Sequence, residues 1–334
     1  MDPITIVIVV VGVFLVGSAV IYGLYRGLRA LDASFADDIE VEVVRDSEEG
    51  VTPLPVEPSG PAPADCLLYL FAHEFARERE GEGPLPERKR TFAPLDGTEL
   101  DTRDTAEQIV FSALVELAAA GCIELRIEPG TPTLMPPFPQ KNWTLHGTRV
   151  GSFPRGPIFD KLSDVFRERA GRQRRKGEEV DADVPVDELI ESAIERLRRE
   201  SAFWQRAGVY ADVRQAVEAH LVDLGYLIPP RAETVLDRLR YRRPTVNERA
   251  VLLLRDEADA LRRRLVGFRE AHPSRLAPPS DLAGEKTIVE GVNAAAMDGT
   301  ANLDDLGLYD CLRVTVAEAM LAMRSLEPSD DVGI

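Results

Sequence analysis

Hydrophobic and polar positions keep a helical or a strand period along most of this chain, but one stretch has no polar positions to set a period. Ile4 to Tyr25 reads ITIVIVVVGVFLVGSAVIYGLY, uncharged and with no strongly polar side chain beyond Thr5 and Ser18. At about 1.5 Å per residue such a helix covers roughly 33 Å, matching a bilayer's hydrocarbon core, and it satisfies its own backbone there. The pattern predicts a single transmembrane helix over residues 4–25. A cleaved signal peptide fits less well. Met-Asp-Pro supplies no basic residue, the apolar run is too long, and no small-residue cleavage site closes it.

Beyond the span the helical period recurs. Cys66 to Glu80 (CLLYLFAHEFARERE) starts apolar and turns charged, as a core helix does on reaching solvent. Asp104 followed by Glu107 reads as a capping box for a helix over Ala106 to Ala120, with apolar positions at Ile109, Val110, Ala113, Leu114 and Leu117. Gly121 stops it. Cys122 to Glu128 alternates as a strand, Pro129-Gly130 turns the chain, and Asn142 to His146 supplies the returning strand. Helix, glycine and hairpin form the second half of a winged helix-turn-helix. The phrase returns 104 residues later, where Val213, Val217, Leu221, Gly225 and Leu227 fall on Ile109, Ala113, Leu117, Gly121 and Ile123. Either the chain repeats itself or two amphipathic helices happen to end alike. Between the phrases the pattern predicts a helix over Pro157 to Ala170, a glycine-flanked basic loop from Gly171 to Gly177, and a helix from Pro185 to about Arg206 capped by Asp183. Helices over Thr245 to about Arg264 and Leu306 to Leu326 complete the set.

The chain therefore reads as mainly α, one N-terminal transmembrane helix plus a helical cytoplasmic domain with winged-helix-like helix-Gly-hairpin units. Residues 1–3 form a short extracytoplasmic terminus, 4–25 the span, 26–64 an acidic and proline-rich linker, 65–326 the helical domain with a sub-boundary near 171–184, and 327–334 a tail. Orientation comes from charge: Arg26 and Arg29 follow the span and only Asp2 precedes it, so the C-terminal side faces the cytoplasm. The linker holds eight acids against Arg45 between Asp32 and Glu49, then five prolines between Pro53 and Pro63, and has no periodic apolar face to bury.

A net charge of -17 disfavours nucleic acid as a partner of the whole protein. Three cysteines, Cys66, Cys122 and Cys311, are too few and too far apart for a disulfide framework or a zinc spacing. Phosphate loops, dinucleotide fingerprints and nucleophile elbows are missing, and His73, His146, His220 and His272 stand alone. His73-Glu74 opens a metalloprotease motif that fails because Arg77 stands at the second ligand position. No catalytic residue, metal ligand or cofactor is assigned. An enzyme with a site illegible in one sequence is kept as a lesser alternative. Trp143 and Trp204 are read as packing residues.

Positive charge is concentrated in two places. Arg172, Arg174, Arg175 and Lys176 lie on the glycine-flanked segment, and Arg238, Arg240, Arg242 and Arg243 lie on RLRYRRP, which opens a stretch with eleven Arg against seven acids between Arg231 and Glu270. Guanidinium forks suit phosphate oxygens, so these eight residues are the candidate anion-binding set.

The order of parts from Leu67 to about Leu265 resembles the Golgi phosphoprotein 3 family. The echoes are LLYLF, SALVELAAAGCIEL, GPIFDKLSDVF, VEAHLVDLGYLI and the aromatic-Arg-Pro turn of YRRPTVNERAVLLL. The resemblance implies a mostly α-helical fold and, from the family's eukaryotic members, a membrane adaptor that binds phosphatidylinositol 4-phosphate through a basic pocket. The expected protein is thus a single-pass, membrane-anchored adaptor with its C-terminal domain in the cytoplasm. Its expected partners are the membrane, anionic phospholipid headgroups and a protein. The rival is a tethered winged-helix regulator reading DNA with Ala106 to Ala120 and Asp212 to Leu224. Glu107, Glu116, Glu218 and Asp223 give those helices the wrong sign for it.

Overall fold

The computed structural model describes residues 58–80, 89–129, 143–176, 183–200, 208–229, 243–273 and 307–325. The expected span Ile4 to Tyr25, most of the linker, Trp204 and the tail lie outside them. No helix among the described residues is long and apolar enough to cross a membrane. The described part is mainly helical: α1 (Ala64–Leu70), α2 (Thr102–Ala119), α3 (Pro157–Lys176), α4 (Val186–Glu200), α5 (Val209–Asp223), α6 (Glu248–Leu252), α7 (Arg255–Ala271) and α8 (Leu308–Ser325).

α2 is the hub. Its run IVFSALV, residues 109–115, has no charged position, so the helix is apolar on every side and must be enclosed. Ile109, Val110, Phe111, Ala113, Leu114, Val115 and Leu117 are all buried, between α1, α5, α7 and α8. The expected apolar positions Ile109, Val110, Ala113, Leu114 and Leu117 are all buried, and Phe111 and Val115 join them. The expected capping box moves by one turn. Asp101 is the N-cap, its side chain accepting from the Asp104 N–H at 2.9 Å, while Asp104 accepts from the Arg77 N–H at 2.7 Å. That second bond ties the start of α2 to an extended segment, and here the expected helix over Cys66 to Glu80 is corrected. α1 ends at Leu70 and a short 3-10 turn, Ala72–Glu74, follows. Arg77 to Arg79 then run beside β2 (Glu99–Leu100), with the Arg79 N–H on the Glu99 carbonyl at 3.0 Å and the Asp101 N–H on the Arg77 carbonyl at 2.9 Å. β2 pairs antiparallel with β1 (Thr91–Phe92).

After α2 the chain makes the expected turn. Gly121 takes φ +65, the Cys122 N–H reaches the Leu117 carbonyl at 2.8 Å and the Gly121 N–H the Ala118 carbonyl at 3.0 Å, the Schellman closure of a helix. α5 ends the same way 104 residues on. Gly225 takes φ +84, with Tyr226 N–H to Leu221 at 2.9 Å and Gly225 N–H to Val222 at 3.0 Å. Each phrase continues into a strand whose returning partner donates to the residue after the glycine: Val150 N–H to Cys122 at 2.9 Å, Asn247 N–H to Tyr226 at 3.0 Å. The likeness at this offset extends from side chains to backbone hydrogen bonds.

The first hairpin is β3 (Ile123–Pro129) with β4 (Trp143–Arg149), and β5 (Asp183–Pro185) adds a third antiparallel strand. Alternation sends Ile123, Trp143, Leu145 and Val184 to the buried face, under α4 and α8. α4 carries Val186, Leu189, Ile190, Ala193, Ile194 and Leu197 inward at helical spacing. Its start corrects the expected cap at Asp183, which is a strand residue opposite Thr148. The expected helix over Thr245 to Arg264 is likewise split. Thr245–Val246 is strand β7, paired with β6 (Leu227–Ile228), and the chain bends at Leu253 and Leu254 between α6 and α7. α7 docks by arginines as well as apolar groups: Arg255 and Arg262 both reach Glu74, Arg262 at 3.4 Å, and Arg264 pairs with Glu116.

Candidate functional site

The segment Gly171 to Lys176 is no loop. α3 continues through it to Lys176, because a single helical glycine costs only about 1 kcal/mol and cations in a last turn favour the helix C-terminus. Arg172 pairs with Glu168 one turn back, and Arg196 of α4 reaches the same carboxylate. Arg169 meets Glu188 at 3.3 Å and Arg199 meets Glu195 at 2.6 Å. These pairs line an open groove of about 170 Å³ between α3 and α4, whose arginines already face carboxylates. Arg174 and Arg175 are exposed, Arg175 donating to the Gly171 carbonyl at 3.3 Å.

Of the second set, Arg238, Arg240 and Arg242 lie outside the described residues. Arg243 is engaged in the fold. It donates to the Ala93 carbonyl at 2.6 Å and lies over the Phe92 ring at 5.1 Å, where Arg90 also lies at 4.7 Å. Beside them Glu99 receives Arg90 at 2.5 Å and Arg79 at 2.6 Å, and the Arg90 bonds first, then Arg79, hold its carboxyl down at about 2. Arg172 thus belongs to the α3–α4 groove and Arg243 to the β1–β2 hairpin, each through different partners.

Charge is also buried. Tyr69 of α1 donates to Glu218 of α5, Arg214 lies 3.6 Å from Glu218 and donates to the Arg90 carbonyl at 2.7 Å, and Arg198 of α4 donates to Asp212 at 2.9 Å. Each buried charge is answered by a partner, the condition under which it is tolerated. Asp65 is fully buried and accepts from the Ile158 N–H at 3.1 Å and the Cys66 N–H at 2.9 Å. It thus caps α3 from 93 residues away. Gly156 makes room: a Cβ there would come within 3.1 Å of the Asp65 carboxylate and 2.8 Å of the Phe159 ring. Loss of hydration raises the Asp65 carboxyl to about 6, and the N–H donors of Ile158 and Cys66 offset part of that rise.

The outer face of the three-stranded sheet gathers chemistry that sequence reading missed. Alternation puts Arg126 and Glu128 of β3, His146 and Thr148 of β4 and Asp183 of β5 on the face away from α4. His146 Nδ1 lies 3.2 Å from Asp183, its Nε2 lies 3.8 Å from Glu128, and Thr148 donates to the other Asp183 oxygen at 3.0 Å. Arg126 stands 3.5 Å from Asp183 and 3.7 Å from Glu128. One atom each from Glu128, His146 and Asp183 fall within 4.8 Å of one another. The lone His146 of the sequence is thus neither isolated nor in the core.

The chain matches no family model, no curated protein and no solved structure.

Proposed function

We propose that this chain is a membrane-anchored adaptor, held by residues 4–25 with its N-terminus outside and its helical domain in the cytoplasm, and meeting anionic lipid headgroups through arginines. The carrying observation is the uncharged run Ile4 to Tyr25 followed at once by Arg26 and Arg29. The lipid half rests on the exposed Arg174 and Arg175, on Arg238, Arg240 and Arg242, and on the resemblance to the Golgi phosphoprotein 3 family. Burial of α2 and α5 weighs against the DNA-reading rival. Phe111, Leu114 and Leu117 of α2 and Val213, Val217 and Leu221 of α5 face other helices, which leaves little of either helix to enter a major groove. The helix-Gly-hairpin units act in this reading as a packing grammar rather than as reading heads.

A reporter fused after Ile334 should be active only in the cytoplasm; activity on the other side would overturn the address. The core of the described residues starts at Ala62, so a protein beginning at Pro55 is suited to vesicle binding. It should bind vesicles containing anionic lipid, ignore neutral ones and release as salt shortens the Debye length to about 8 Å. Charge reversal of Arg174 and Arg175, or of Arg238, Arg240 and Arg242, should weaken binding; unchanged binding in both would remove the lipid half and leave a protein partner.

A further inference from the structure

We propose that the outer face of the β3–β4–β5 sheet binds one divalent transition-metal ion of the zinc class through His146, Asp183 and Glu128. The donor set is one imidazole and two carboxylates, which suits zinc, cobalt or nickel better than oxygen-seeking calcium or magnesium. Two ligands bound at about 2.0–2.2 Å to a tetrahedral ion lie roughly 3.3–3.5 Å apart. His146 Nδ1 and Asp183 Oδ2, at 3.2 Å, already stand at nearly that separation. Glu128, 42% exposed near the end of β3 and now 3.8 Å from Nε2, rotates to the Nδ1 side of the ring as third ligand and leaves a fourth position to water. Two ladders fix the backbone beneath: Glu128 faces Thr144, and Asp183 faces Thr148. The Thr148 hydroxyl holds one Asp183 oxygen and so turns the other toward the imidazole, as outer partners of metal ligands do.

Arg126 makes the inference sharp. Its guanidinium now balances the two carboxylates that an ion would bind, and at 47% exposure it is free to swing into solvent when displaced. Two carboxylates with a neutral imidazole carry the charge that a divalent ion cancels, so ion and guanidinium compete for one position. Removing Arg126 must then strengthen metal binding, whereas a purely structural ion-pair cluster gives no such gain.

The test uses the full chain in detergent, stripped with chelator and titrated with cobalt, read by its visible ligand-field bands, and with zinc, read by calorimetry. One ion per chain is expected. H146A and D183N should each weaken binding by more than the roughly 10–100-fold that outer partners of a metal are worth. R126A should tighten it about two- to fivefold, the scale of a half-exposed ion pair. A gain of affinity cannot come from a misfolded variant, so this arm stands if the others fail to fold. No cobalt or zinc binding, binding that survives H146A and D183N together, or an R126A protein that binds no tighter would each overturn the proposal.

Discussion

Asp65 shows how a single residue makes this core sensitive to pH. Its carboxyl belongs near 3.8 in the unfolded chain and near 6 in the folded one, because burial disfavours the charge more than two N–H donors favour it. A raised folded value means that the protonated form is the stabilising one. The contribution is complete below about 3.8 and is lost as pH rises through about 6. From this group alone, stability at pH 8 should fall below that at pH 4 by about 2 kcal/mol. Urea unfolding of the wild type and of Asp65→Asn over that range should show the Asn variant losing this component of the slope. Equal slopes would mean that the carboxyl is not buried in the way described.

At the scale of elements, the two Schellman closures and the helix they leave behind carry the clearest test. Leu117 is fully buried on α2 and its carbonyl receives the closing bond from Cys122. Leu117→Ala should cost about 2–5 kcal/mol in chemical unfolding, since α2 is clamped on all sides and has little room to collapse. A loss below about 0.5 kcal/mol would contradict that enclosure. The helices themselves were largely legible in the sequence, among them the one expected over Leu306 to Leu326, which is α8 (Leu308–Ser325). Burial of α2 on every side was not, since one-dimensional spacing shows a helix's apolar faces but not how many neighbours cover them. β5 has three residues and no period to detect. The Glu128, His146 and Asp183 group stayed hidden for a related reason. Alternation alone gives each strand's outer residues, but thirteen residues separate β3 from β4, and so long a connection does not fix which residues stand opposite. For the arginines the sequence shows only concentrated positive charge, and the fold supplies the partners, Glu168 for Arg172 and the Ala93 carbonyl for Arg243.

The core of the described residues is closed by their last helix. α8 packs on α4, α2, α5 and the sheet, burying Leu312, Val316, Ala319 and Met320. A chain ending before Gly307 should therefore lose cooperative unfolding and expose apolar surface to a dye such as ANS; a sharp, unchanged transition would show that α8 is an accessory. That placement also has a consequence for synthesis. Leu308 leaves the ribosome about 190 residues after Ala119, so at roughly 5–20 residues per second the hub helix waits on the order of 10–40 s for its final cover. During that interval the Phe111 edge, which Tyr309 later meets at 5.1 Å, is open to any chaperone or neighbouring nascent chain, and the rate of translation becomes a factor in the yield of folded protein.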